Sequence, residues 1–140
     1  MIRVRALSVV LLTIVLGGCG PGPTPSPSTD LSSLGPRPSS PAQVQILQPA
    51  SGATITGTTV HIVLQLTGAQ IVTQTSTNIR PDQGHVHLYV DNVLVSMNYG
   101  LEQDLPVHPG TYVLKAEFVA SDHFPFDPRV WSQEVFFTVK

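Results

Sequence analysis

An all-β chain, an antiparallel β-sandwich of about seven strands preceded by a Pro/Ser/Thr-rich tether, is the fold class these 140 residues predict. Three observations carry it. Residues 42–140 hold no run with the 3.6-residue apolar period of a helix. They do hold several runs in which apolar and polar residues alternate, rich in Val, Ile, Thr and aromatics. Gly, Pro, Asn and Asp punctuate those runs, and the remainder of the chain has a composition that cannot pack a core.

Residues 1–18 read as a secretory signal peptide. Arg3 and Arg5 precede an apolar run from Ala6 to Leu16, which ends in the small residues Gly17 and Gly18. Eleven helical residues at about 1.5 Å each span about 16 Å, half of the ~30 Å hydrocarbon core, so the run is too short to cross a membrane comfortably. Leu16-Gly17-Gly18-Cys19 resembles the lipobox of bacterial lipoproteins. That resemblance implies a diacylglyceryl group on the Cys19 thiol and Cys19 as the mature N-terminus. Two acyl chains are what stable attachment requires, so the chain is expected to be exported and anchored facing the periplasm or the cell exterior. Cys19 is also the only cysteine, which excludes an intrachain disulfide.

Residues 19–41 are the lipidated cysteine and the tether. Between Gly20 and Pro41 stand 7 Pro, 8 Ser or Thr and 3 Gly, leaving only Asp30, Leu31, Leu34 and Arg37. Such a segment cannot bury enough apolar surface to offset its ordering entropy. Its prolines favour polyproline II, a stalk of up to roughly 70 Å at about 3.1 Å per residue.

Residues 42–140 are the sandwich. Val44–Leu47 opens it, and Pro49-Ala-Ser-Gly52 turns the chain towards Thr54–Thr56. Val60, Ile62, Leu64 and Leu66 then share one face of a strand, with His61, Val63 and Gln65 on the other. Thr67–Gln83 is a long polar connection, expected as a functional loop or a poorly formed strand around Ile71 and Val72. From Gly84, Val86, Leu88 and Val90 alternate with His85, His87, Tyr89 and Asp91; Asp91-Asn92 then makes a two-residue hairpin into Val93–Met97. Pro109-Gly110 starts the strand Thr111–Ala120, and a last strand spans about Arg129–Val139, with Val135, Phe137 and Val139 inward.

The Ile/Leu-rich opening strand, Pro-x-x-Gly52-Ala-Thr and Pro-Gly110-Thr-Tyr-Val-Leu-Lys-Ala resemble bacterial immunoglobulin-like modules over residues 43–140. The resemblance implies an Ig-like sandwich in which the Tyr112 hydroxyl bonds the backbone of the preceding corner. Leu114 stands where antibody-type domains have their second cysteine, and Trp131 lies in the last strand, so the domain is Ig-like and disulfide-free. Gly84-His85-Val-His87-Leu-Tyr-Val-Asp91, with Asp122-His123-x-Pro125 later, is similar to a variant of exported bacterial Ig-like domains, to which no particular activity attaches. The Pro49–Ala53 turn is faintly similar to periplasmic copper-binding sandwiches, but their mature N-terminal histidine is absent, so no ligand is carried over.

Side chains two apart on a strand share a face about 6.5–7 Å apart, so the His85 and His87 imidazoles can converge on one ion. In an Ig-like topology the start of their strand lies beside the end of Thr111–Ala120, which brings Asp122 and His123 to His85. His61 and His108 fall at the opposite end and read as surface residues. A site of His85, His87 and His123, with Asp122 as fourth ligand or orienter, suits Zn²⁺ or Cu²⁺ and not Ca²⁺. H-x-H on a strand is a weak metal signal, and the same histidines fit more readily a structural tie between strands, bonded to Asp122, Tyr89 or backbone.

Thr67–Gln83 and Ser121–Pro128 are expected side by side at that end, where Arg80, Asp82, Phe124, Phe126 and Asp127 would meet a protein or glycan partner, unless Phe124 and Phe126 plug the sandwich. A net charge of −2 and 11% charged residues argue against nucleic-acid binding. Patterns such as G-x-S-x-G, a P-loop or H-E-x-x-H do not occur, and Glu102 and Asp104 read as solvated carboxylates. The expectation is therefore a non-enzymatic, membrane-anchored binding or structural module requiring no cofactor, with an envelope zinc- or copper-binding protein as the alternative.

Overall fold

The computed structural model describes residues 35–140. The signal segment, Cys19 and the tether up to residue 34 lie outside the described residues. Ten strands form two sheets: β1 (Gln43–Gln48), β2 (Ala53–Ile55), β3 (Thr59–Thr67), β4 (Gln70–Ile71), β5 (Gln83–Val90), β6 (Val93–Asn98), β7 (Glu102–Pro106), β8 (Gly110–Ala120), β9 (Pro125–Trp131) and β10 (Val135–Val139). One sheet has the order β1-β3-β7; the other runs β2-β10-β8-β5-β4, with β6 also on β5 and β9 also on β8. The first strand thus splits between sheets, β1 antiparallel to β3 and β2 parallel to β10. This is an Ig-like antiparallel β-sandwich.

Alternation along the strands accounts for the core. Val44, Val60, Ile62 and Leu64 from one sheet meet Val86, Leu88, Leu114, Ala116, Phe118, Phe137 and Val139 from the other. Tyr112 stacks on Phe137 at 5.3 Å between ring centroids, and its hydroxyl donates to the His108 carbonyl at 2.8 Å, as the Ig resemblance implies. Asp91 and Asn92 take φ of 50° and 65°, the left-handed pair of a tight hairpin, and Val90 pairs with Val93 across it.

Three segments differ from the sequence expectation. The last strand is two, because the chain breaks its ladder at Ser132, whose Oγ accepts from the Ala116 amide while its own amide donates to the Ala116 carbonyl. β9 begins at Pro125, inside the expected Ser121–Pro128 loop; Pro125, Asp127 and Pro128 disguise a strand that sits on an outer edge, where proline is tolerated. β7 was concealed by Glu102 and Asp104, since it is an edge strand that half-buries only Gln103 and Leu105.

The packed body also starts before residue 42. Arg37, expected as part of a free tether, donates to both carboxylate oxygens of Asp122 at 2.7 and 2.9 Å and to the carbonyls of Pro125 and Phe124. The Pro38 carbonyl accepts from the Asp127 amide, and the Ser40 hydroxyl donates to the Pro81 carbonyl. Residues 37–40 therefore belong to the domain.

Gly84, at the start of β5, is held to glycine by close approach. A Cβ there would stand 1.9 Å from the Val119 carbonyl oxygen on the neighbouring β8. Gly84→Ala is expected to push β5 off β8, at a cost of about 1–3 kcal/mol and a lowered Tm in thermal unfolding. An unchanged Tm would show that this approach constrains nothing.

Candidate metal centre

The β5–β8 ladder places the chemistry. Seven consecutive pairs run from Gly84↔Ala120 to Val90↔Leu114, so the turn that leaves β8 returns over the start of β5. Val86 and Leu88 point into the sandwich, while His85 and His87 occupy the other face of the same strand. That face is covered as well: His85 is 1% exposed and His87 5%. Two imidazoles buried two residues apart have little choice but to face one another, and their Nε2 atoms lie 3.1 Å apart.

His123 closes the group. It sits in the turn after β8 with φ of 68°, a left-handed conformation that a non-glycine residue keeps only when its surroundings hold it. The hold is visible. The His123 amide donates to the Ala120 carbonyl, the Ala120 amide donates to the Phe124 carbonyl, and the Phe124 amide donates to Asp122 Oδ1. Arg37 then clamps the Asp122 carboxylate from outside. The His123 ring packs 4.3 Å from His85 and 6.0 Å from His87, centroid to centroid.

One nitrogen from each of the three rings lies within 4.8 Å of the others. An ion about 2.0–2.1 Å from three imidazole nitrogens needs them about 3.3–3.6 Å apart, so small ring rotations suffice to bind one. His123 adds a specific mark of fit. Its Nδ1 is buried with no hydrogen-bond partner, while its Nε2 is paired with Thr75 Oγ1 at 3.2 Å. One nitrogen oriented and the other free is how a metal-ligating histidine is arranged.

Burial disfavours the charged form of two of the three rings. Burial pushes the His85 imidazole down from its ordinary 6.5 to about 4, with His123 and His87 adding to the effect and Asp122 opposing it. Burial also lowers His87, while the Glu117 carboxylate, directly across the ladder, pulls the other way. Neutral imidazole is the form that binds a metal.

Of the two roles the sequence left open for Asp122, fourth ligand or orienter, the contacts favour the orienter. Both of its oxygens are engaged by Arg37, so its work is to fix the turn that carries His123. Glu117 is likewise committed. Fully buried, it accepts from Arg129 through both oxygens and from the Tyr89 hydroxyl at 3.1 Å. Arg37, Thr75 and the Glu117–Arg129 pair went unrecognised in the sequence; the one signal for Arg37 was a lone cation in a nearly uncharged tether.

The second set of expected residues fares unevenly. The two long connections do lie together: the Ser76 amide donates to the Ser121 carbonyl, and the Ser121 hydroxyl donates to the Ser76 carbonyl. Phe126 is a correction, being 1% exposed and stacked on Phe118 in the core as the first inward residue of β9. Phe124 is half-buried, Asp127 is exposed, and Arg80 and Asp82 form an exposed pair at 3.5 Å. At the other end His61 pairs with Asp104 at 2.8 Å. A groove lined by Gln43, Gln45, Arg129 and Trp131 runs between β1 and β9 and includes none of the three histidines.

Two predictions come from this geometry. Arg37→Ala strands the Asp122 carboxylate in a half-buried turn, which is expected to cost about 2 kcal/mol in denaturant unfolding; an unchanged midpoint would show that the clamp holds nothing. In the metal-free protein His85 resists protonation when folded and accepts it when unfolded. Stability is then fully present above about pH 6.5 and falls as the pH drops towards 4. Urea midpoints measured from pH 7 to 4.5 should decline, and decline less in His85→Gln. Identical pH slopes in the two proteins would contradict the assignment.

No protein-family description and no curated protein match this chain. Among solved structures it is similar to the fibronectin(III)-like modules of Clostridium thermocellum CbhA, at 22% identity and a TM-score of 0.48, over 70% of this chain and 46% of that one. It is also similar to an engineered protein at 15% identity and a TM-score of 0.42, over 71% of this chain and 20% of the other. The chain thus spans less than half the length of either.

Proposed function

We propose that the chain is a non-enzymatic, membrane-anchored Ig-like module of the cell envelope that binds one transition-metal ion, Zn²⁺ or Cu²⁺, through His85, His87 and His123. The observation that carries this reading is the convergence of three imidazoles within 4.8 Å, two from β5 and one from the turn after β8. A tie between strands needs hydrogen bonds to carbonyls or carboxylates. These rings instead face one another, and His123 Nδ1 is left without a partner. Anchoring rests on Leu16-Gly17-Gly18-Cys19 and the apolar run before it; the non-catalytic reading rests on the lack of a nucleophile–base pattern in the sequence. The tether would then hold the metal centre away from the bilayer, facing the periplasm or the cell exterior.

Calorimetric titration of Zn²⁺ and Cu²⁺ into the full chain carrying Cys19→Ser, which removes the competing thiol, tests the proposal. One equivalent is expected to bind at micromolar affinity or tighter. His85→Ala and His123→Ala should each weaken binding at least a hundredfold with the far-UV spectrum unchanged. Absence of binding would leave the cluster a structural tie and turn attention to Arg80, Asp82, Phe124 and Asp127 as a surface for a protein or glycan.

A further inference from the structure

The strand on the far side of β5 carries a side chain that the metal reading has not used. In the β5–β6 ladder His87 pairs with Met97, and paired residues of antiparallel strands project from the same face with Cβ atoms about 4.5–5.5 Å apart. Met97 therefore stands on the histidine face. Its neighbour confirms the geometry: Tyr99, one step past Asn98↔Val86 and so opposite His85, does lay its ring 5.0 Å from the His85 imidazole. Met97 is 53% exposed on an outer strand, an unbranched thioether free to swing over the His87 ring.

The charge on the site matters equally. Both carboxylates near the histidines are taken, Asp122 by Arg37 and Glu117 by Arg129 and Tyr89. The donors left are three imidazoles and one thioether, none of which binds as an anion. A dication would be held there by neutral ligands only, as Zn²⁺ is in three-histidine sites, whereas a monovalent ion brings half the charge to bury. Thioether and imidazole together favour copper(I) among biological ions, while zinc gains little from a neutral sulfur.

Building on the metal reading above, we propose that Met97 is the fourth donor and that it makes the site selective for copper(I). Met1, Cys19 and Met97 are the only sulfur-bearing residues of the chain, so sulfur bound to copper is readily assigned. The test uses the full chain with Cys19→Ser, under ascorbate and without oxygen, in competition with a chromophoric copper(I) chelator; zinc affinity is measured in parallel with a chromophoric zinc chelator. Met97→Leu is expected to weaken copper(I) binding at least tenfold while changing zinc affinity less than twofold. X-ray absorption at the copper edge should show one sulfur neighbour that disappears in this variant. Equal copper(I) affinities, or no sulfur in the copper shell, would overturn the role of Met97 and leave a three-histidine site standing. Failure of both metals to bind, or binding indifferent to His85→Ala and His123→Ala, would overturn the metal reading itself.

Discussion

Burial of β5 on both faces is the constraint on which the rest of this structure depends. A strand at the middle of a sandwich normally gives one face to the core and the other to water, and its polar residues are then satisfied by solvent. Here the outer face of β5 is covered by the turn after β8, by Tyr99 and by the loop that contains Thr75, so His85 and His87 lose their water. Their polar atoms must find partners among what covers them, and what covers them is a third imidazole. The cluster follows from the covering: exposed, the same H-x-H pair would be two solvated surface residues.

That covering is assembled from distant parts of the chain, and it is held electrostatically. Arg37, just before the first strand, reaches the Asp122 carboxylate, and Arg129 in β9 reaches Glu117 in β8. Each guanidinium forms a two-pronged pair with its carboxylate, the geometry in which Arg is strongest. Together they pair the two carboxylates beside the histidines with cations. The pairs anchor the elements around the histidines, and in one of them Arg129 offsets the pull of Glu117 on His87.

The route from the last residues of the tether to the ligand turn is short. Arg37 holds Asp122, Asp122 holds the Phe124 amide, and between them His123 is kept in a left-handed conformation. The segment that would connect a lipid anchor to the domain thus ends in the contact that positions His123. Strain at His123 is stored in a turn that its neighbours over-determine.

Local pattern alone determined a good deal of this protein. The alternation of Val86, Leu88 and Val90 with His85, His87 and Tyr89 and the hairpin at Asp91-Asn92 are read from period two and turn chemistry, while the corner at Tyr112 and the neighbouring of β5 and β8 follow from the resemblance to Ig-like modules. Those features depend on residues close in sequence or on a topology that few strand orders satisfy. Edge strands were less legible: β7 and β9 bury one side only and carry charges and prolines that look like loop, so Phe126 was placed in a loop, open either to a partner or to the core, when it is a core residue of a strand. What only the tertiary structure decided is which groups are dry and which acids are taken. Arg37 meets Asp122 across 85 positions of chain, and Thr75 meets His123 across 48. No local period encodes such pairings, because they are selected by the whole domain closing over them, and they leave the cluster as three imidazoles with Asp122 tied to Arg37.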